Sequence, residues 1–116
     1  MLNLNSVMVG SANPKALADF YTKVLGKPDW QDGEWYGWKA GESWFHIGGH
    51  SEVKGVAKEP QRILLNFETR YYKKEFERIK ALGAKVVKEL YEMDGAWVST
   101  FADPDGNYFQ VNSPWK

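Results

Sequence analysis

The chain has 116 residues, which is the size of one domain with a modest core. Its 15 basic and 15 acidic residues cancel, and this balance argues against nucleic-acid binding and against a polybasic membrane anchor, since both need a positive surplus. No residue is cysteine, which excludes disulfides, thiolate nucleophiles and zinc–cysteine sites. The segment MLNLNSVMVG lacks the features of a signal peptide, and no apolar run could span a membrane, so we expect a cytoplasmic protein.

The first half of the sequence predicts a strand, a helix and three short strands. Residues 4–10 alternate and lack strong helix formers, which predicts a strand. Asn13 is a good N-cap and Pro14 suits the first helical position, and apolar residues then recur at helical spacing until Gly26. A helix is therefore predicted over 14–25. Aromatic runs bounded by glycines predict further strands at about 29–31, 35–40 and 43–48.

The second half repeats this order. The polar segment 49–60 reads as a loop between the halves, and each half is too small to fold alone. After it we predict a strand over 62–68, a helix over 70–82 ending at Gly83, and strands over 84–92, 96–102 and 108–112. The prediction is an α+β fold of two βαβββ modules, about 1–50 and 61–116, within one domain over 1–116.

Each predicted strand has one apolar face, which should pack under a helix, and one mixed face. In the first strand, Val7 and Val9 oppose Ser6 and Met8. In the last strand, Phe109 and Val111 oppose Tyr108, Gln110 and Asn112. Mixed faces gathered on a concave sheet would form a half-apolar pocket with a few polar groups, as small-ligand sites have. The alternative is a solvated outer face.

The βαβββ-βαβββ order, ALADFYTKVLG at 16–26 and FADPDGNYFQV at 101–111 resemble the vicinal oxygen chelate superfamily. That superfamily includes glyoxalase, extradiol dioxygenases and bleomycin-resistance binding proteins. The resemblance implies a cup-shaped mixed sheet with helices on its outer face, and a homodimer.

Asp103 and Asp105 in the DPDGN turn look like a catalytic pair, but this turn type needs aspartate for its own hydrogen bonds, so we interpret them as structural.

The metalloenzymes of this superfamily hold a divalent metal at four strand positions, which the resemblance places on Ser6, His46, Arg62 and Gln110. A serine hydroxyl is a poor ligand, and a guanidinium has no lone pair and repels a metal. An amide oxygen binds hard cations weakly. This set is degenerate, and we expect no metal or other cofactor.

The resemblance therefore favours the binding branch of the superfamily: a metal-free protein that holds an aromatic or anionic small molecule in a cup, with resistance by sequestration as one role. The ligand-binding residues we predict are Ser6, Met8, Trp44, His46, Arg62, Leu64, Tyr108 and Gln110. One alternative is a metal-dependent glyoxalase-like lyase or isomerase, with His46 and Gln110 as ligands. Another is a metal-free acid/base enzyme, with His46 as the general base.

Several residues allow two interpretations. Arg62 could anchor a carboxylate or phosphate, or pair with Glu59 or Glu68 and do nothing else. The tryptophans could line the site, or pack in the core or a dimer interface, where aromatic residues are also enriched. His50 reads as a solvated loop residue.

Overall fold

The computed structural model describes residues 1–115. They fall into two compact units, the first comprising Met1–Gly55 and the second beginning at Val56. Each unit contains one helix and one four-stranded mixed sheet in the order strand, helix, three strands. The α+β class and the two βαβββ modules are therefore confirmed. Neither helix in the described residues has the length and apolar run that crossing a membrane needs.

Unit 1 has its sheet in the order β1-β4-β3-β2, with β1 parallel to β4 and the remaining pairs antiparallel. Its elements are β1 (Ser6–Ser11), α1 (Pro14–Leu25), β2 (Trp30–Asp32), β3 (Trp35–Ala40) and β4 (Ser43–Gly49). The core lies between α1 and the sheet. There, Tyr21 meets Phe45 edge to face at 4.9 Å between ring centroids. Trp38 is buried in the same layer and donates its Nε1 hydrogen to Gly26 O, the carbonyl after the helix end.

Unit 2 repeats the arrangement with the order β5-β8-β7-β6, and β5 is parallel to β8. Its elements are β5 (Leu65–Glu68), α2 (Tyr72–Ala81), β6 (Lys85–Met93), β7 (Ala96–Ala102) and β8 (Tyr108–Asn112). Phe76 of α2 packs on Phe101, which stacks on Phe109 at 5.5 Å. These apolar contacts form the core of the unit.

The predicted elements differ from the structure chiefly at their starts. The strand predicted over 62–68 begins at Leu65, because Pro60–Arg62 forms a 3-10 turn closed by the Arg62 N–H bond to Glu59 O. The helix predicted over 70–82 begins at Tyr72 and ends at Ala81. Residues 4 and 5 lie outside β1, which begins at Ser6. The helix predicted over 14–25 has those bounds.

The Asp103–Asn107 turn is held together by one buried carboxylate. The side chain of Asp103 accepts hydrogen bonds from Asp105 N at 2.9 Å and from Asn107 N at 3.0 Å. Gly106 follows with φ 81°, in the left-handed region that glycine favours. Asp103 thus has the structural role that the turn sequence predicts.

Candidate functional site

The predicted site residues divide equally between the units. Unit 1 supplies Ser6, Met8, Trp44 and His46, and unit 2 supplies Arg62, Leu64, Tyr108 and Gln110. The four residues of unit 1 lie on neighbouring strands of one sheet, and the structure brings them together. In unit 2, Tyr108 and Gln110 share β8, whereas Arg62 and Leu64 precede β5.

The parallel pairing of β1 with β4 creates the unit 1 group. Ser6 is level with Trp44, and Met8 is level with His46. Because side chains alternate along a strand, these four share the sheet face opposite α1. Met8 is 40% exposed, and Trp44 and His46 are half-buried. An apolar thioether, an indole and an imidazole therefore meet at an accessible surface.

The His46 ring lies among aromatic side chains. Trp44 stacks on it with ring centroids 5.7 Å apart and planes 7° from parallel. Trp30 of β2 meets it edge to face at 6.2 Å and 87°. Gly37 lies beside it on β3, and a Cβ at Gly37 would be 2.9 Å from His46 Nδ1. The absence of a side chain at residue 37 therefore leaves room for the imidazole.

We call this surface the aromatic face, defined by Met8, Trp30, Trp44 and His46. Within the described part of the chain, no hydrogen bond to either nitrogen of His46 is present. One positive group adjoins the face, since Lys39 Nζ lies 5.7 Å from the centroid of the Trp44 ring. The face can thus stack a planar group, offer an imidazole nitrogen and attract a negative charge.

Sequence reasoning did not assign Trp30, Gly37 or Lys39 to the site. All three occupy the same sheet face, because Gly37 is level with both Trp30 and His46 while Lys39 is level with Trp44. Alternation within β3 groups Gly37 with Lys39, and this signal was present in the sequence. Their alignment with His46 depends on the register of the β3–β4 hairpin, which only the structure gives.

The corresponding face of unit 2 carries amides and hydroxyls. Gln110 Nε2 donates to Thr100 Oγ1 at 3.1 Å, across the β7–β8 pair. Asn66 is level with Gln110 on β5 and exposed, and Tyr108 is half-buried at the start of β8. Asn112 follows on the same face and is buried, and its Oδ1 has no hydrogen-bond partner within the described residues.

Arg62 lies apart from these amide side chains, whereas the carbonyl oxygen of Leu64 accepts a hydrogen bond from Asn66 Nδ2 at 3.3 Å. Arg62 is in the 3-10 turn, and its guanidinium pairs with Glu59 at 2.9 Å, with both side chains more than 70% exposed. The prediction that Arg62 lies within the fifth strand is wrong, because the turn at Pro60 delays the strand to Leu65. Asn66, rather than Arg62, is the β5 residue beside Gln110.

The donor set implied for a divalent metal does not fit one. The Ser6 hydroxyl donates to Asn5 Oδ1 at 3.0 Å, and Arg62 is a fixed cation in an ion pair. Gln110 offers only a neutral amide oxygen, which binds hard cations weakly, and this leaves His46 as the sole strong donor of the four. Across the residues described, no three His, Asp or Glu side chains are grouped as a metal site requires.

The chain is similar to known proteins in its sequence pattern and in its fold. The family model described as "Glyoxalase-like domain" matches residues 6–112. A solved "conserved domain protein" superposes with a TM-score of 0.80 at 19% identity, covering 98% of this chain and 100% of that one. No curated protein matches the chain.

Two further solved structures bear the names of enzymes. A glyoxalase/bleomycin resistance protein/dioxygenase family enzyme from Burkholderia phytofirmans PsJN has a TM-score of 0.73 at 24% identity, with 97% and 98% of the two chains covered. Lactoylglutathione lyase from Agrobacterium tumefaciens has a TM-score of 0.75 at 17% identity, with coverage of 96% and 92%. At these identities the likeness extends to the fold alone.

Proposed function

Because the chain belongs to the glyoxalase-like domain family of the vicinal oxygen chelate superfamily, we propose that it is a small-molecule-binding protein that holds its ligand without a metal. The ligand lies against the aromatic face of unit 1. The observation that carries this proposal is the His46 ring, stacked on Trp44, beside Gly37, and free of hydrogen bonds within the described residues. A ligand that covers these half-exposed rings removes apolar surface from water, which favours binding.

The chemistry of the face indicates a planar aromatic ligand with a negative group. Trp44 and Trp30 offer indole surface, and each aromatic contact contributes about 0.5–1.5 kcal/mol beyond area burial. Lys39 beside Trp44 supplies the positive charge for a carboxylate, sulfonate or phosphate. Sequestration of a toxic compound of this class is the biological role that we propose.

A fluorescent aromatic sulfonate, 8-anilinonaphthalene-1-sulfonate, tests the proposal directly. We expect saturable binding to the native protein, weakened about tenfold in Trp44→Ala through loss of the stacking surface. Trp115→Ala removes an exposed indole outside the sheets and serves as the matched control. Equal loss in both variants, or undiminished binding in Trp44→Ala, would contradict the assignment. A positive result makes the probe a reporter for displacement by candidate ligands.

Two enzymatic functions remain as alternatives. The fold shared with lactoylglutathione lyase favours a metal-dependent lyase or isomerase, and the donor set argues against it. Elemental analysis, followed by titration with Ni²⁺, Zn²⁺ and Mn²⁺ while tryptophan fluorescence is recorded, distinguishes the metal-dependent enzyme from the metal-free binding protein. One tightly held metal per chain would replace our proposal with the enzyme.

The second alternative is a metal-free acid/base enzyme, favoured by the unpartnered nitrogens of His46. Mass spectrometry of a displacing ligand after incubation tests this alternative. A binding protein releases the ligand unchanged, whereas an enzyme of this type converts it in a reaction lost in His46→Gln. We further propose a cytoplasmic homodimer, for which light scattering of the purified protein should give twice the chain mass of 13.3 kDa.

A further inference from the structure

Unit 1 also has a cleft at the end of its sheet where β1 and β4 finish. It is a cleft of about 590 Å³ formed by the ends of β1 and β4, the start of α1, the β2–β3 turn and the segment that follows β4. Its lining includes Glu34, Trp35, His50, Val53 and Lys54. A volume in this range is typical of small-molecule sites. None of these residues belongs to the aromatic face.

Two consecutive glycines of β4, Gly48 and Gly49, allow side chains of the β2–β3 hairpin to approach the strand closely. A Cβ at Gly48 would lie 2.5 Å from the Trp35 ring, so the indole rests directly on the backbone. A Cβ at Gly49 would lie 3.1 Å from Glu34 Oε2, so this carboxylate lies close to the strand as well. Because successive residues of a strand face opposite sides of the sheet, the Trp35 ring and the Glu34 carboxylate lie on opposite faces of β4. The Glu34 carboxylate, which lines the cleft, suits an ammonium group.

The segment after β4 contributes groups that attract a negative charge. His50 Nδ1 accepts a hydrogen bond from Glu52 N at 3.2 Å, so a neutral His50 carries its proton on Nε2. That N–H is a donor, and Lys54 adds a positive charge from the same segment. Together they suit a carboxylate group.

The two charges of the cleft do not neutralise each other. No ion pair within 4.0 Å involves Glu34 or Lys54 in the described part of the chain, although both line the same cleft. A ligand with both charges would satisfy the two groups at once, whereas a simple anion or cation would satisfy one and be repelled by the other.

We propose that this cleft binds a small zwitterion, with its ammonium group at Glu34 and its carboxylate at Lys54 and His50. The site is separate from the aromatic face and takes a different class of ligand. A dipeptide has the two charges and a size that the cleft accommodates.

The test is an ¹⁵N-resolved NMR titration with L-alanyl-L-alanine. Two matched controls each lack one charge: the N-acetylated dipeptide and the C-terminally amidated one. We expect saturable shifts at residues 34–35 and 48–54 with the dipeptide, and binding about tenfold weaker with either control. Equal binding by a control, or no saturable shift with the dipeptide, would overturn the proposal.

Variants of the two charged residues test the ligand's orientation. Glu34→Gln and Lys54→Met should each weaken dipeptide binding about tenfold, because each removes one charge-assisted contact. Both side chains are exposed, so neither change should impair folding. Glu34→Gln should leave binding of the aromatic sulfonate unchanged, and Trp44→Ala should leave dipeptide binding unchanged. These two results distinguish failure at the cleft from failure at the aromatic face. Undiminished dipeptide binding in both charge variants would refute the assignment.

Discussion

The two units use one topology for two kinds of surface. On the helix side, the paired residues are apolar in both: Val7 with Phe45 in unit 1, and Leu65 with Phe109 in unit 2. On the other side, the row Met8–His46–Gly37 of unit 1 corresponds to Asn66–Gln110–Thr100 of unit 2. Packing thus constrains one face of each sheet, while the other face is open to different chemistry.

The third member of each row decides how the second is held. Gly37 has no side chain, so the imidazole of His46 lies beside bare backbone and makes no hydrogen bond within the described residues. Thr100 instead presents a hydroxyl that accepts from Gln110 at 3.1 Å. The unit 1 position is therefore available to a ligand, whereas the unit 2 position is partly satisfied by its own sheet.

The strongest test of the comparison concerns the helix-side cores. Phe45→Ala and Phe109→Ala each remove a buried ring, and we expect each to lower the free energy of unfolding by about 3–5 kcal/mol. Urea denaturation followed by circular dichroism measures both. A cost in one variant of less than half that in the other would show that the two helix sides are not equivalent.

The second largest difference in stability is expected between variants of the two hairpin turns. Asp103→Ala deprives the N–H groups of Asp105 and Asn107 of their buried acceptor, and a loss of about 2–3 kcal/mol is expected. The β3–β4 turn offers Glu42→Ala as the matched control, an exposed position where the change should stay within about 0.5 kcal/mol. Similar losses in the two variants would show that the Asp103 carboxylate has no special role.

Gly37→Ala should disturb the row of unit 1. The new Cβ would meet the imidazole at 2.9 Å, so the ring of His46 must move, at a cost of about 1–3 kcal/mol. The His46 ring protons should lose part of the ring-current shift that Trp44 and Trp30 impose, which proton NMR detects. Unchanged His46 resonances would mean that the close approach of Gly37 does not position this ring.

Thr100→Val should have a smaller effect on the row of unit 2. The replacement keeps the branched shape and removes the acceptor of Gln110 Nε2. Because Gln110 is half-buried and can turn towards water, we expect a loss of about 1 kcal/mol in thermal or chemical unfolding. A loss comparable with that of Asp103→Ala would indicate that Gln110 is more rigidly held than its exposure indicates.

The helix starts should give the smallest effect. Asn13 Oδ1 accepts from Ala16 N at the start of α1, whereas Tyr71 before α2 makes no side-chain cap. Tyr71→Asn should therefore stabilise unit 2 by about 0.5 kcal/mol, and Asn13→Ala should destabilise unit 1 by about 1 kcal/mol. A midpoint shift of the same sign in both variants would contradict the capping difference.

Most of the local structure was predictable because it depends on nearby residues. The Asn13-Pro14 start fixes the beginning of α1, and the DPDGN sequence fixes its own turn. The start of β5 was not predictable from alternation, since the alternating pattern of residues 62–68 begins at Arg62, which lies in the 3-10 turn that starts at Pro60. Trp38 of β3 and Trp44 of β4 lie on opposite faces of the same sheet, and Trp38 is buried beneath α1.

By itself, the sequence determined the two βαβββ modules and the side of the strands that faces a helix, because these follow from spacing along the chain. The family resemblance came from the segments ALADFYTKVLG and FADPDGNYFQV. The tertiary structure alone decided the register that aligns His46 with Met8 and Gly37, and the cleft that joins Glu34 to Lys54. Those features depend on contacts between segments distant in sequence. Hairpin register and loop closure set such contacts, and residue order does not encode them locally.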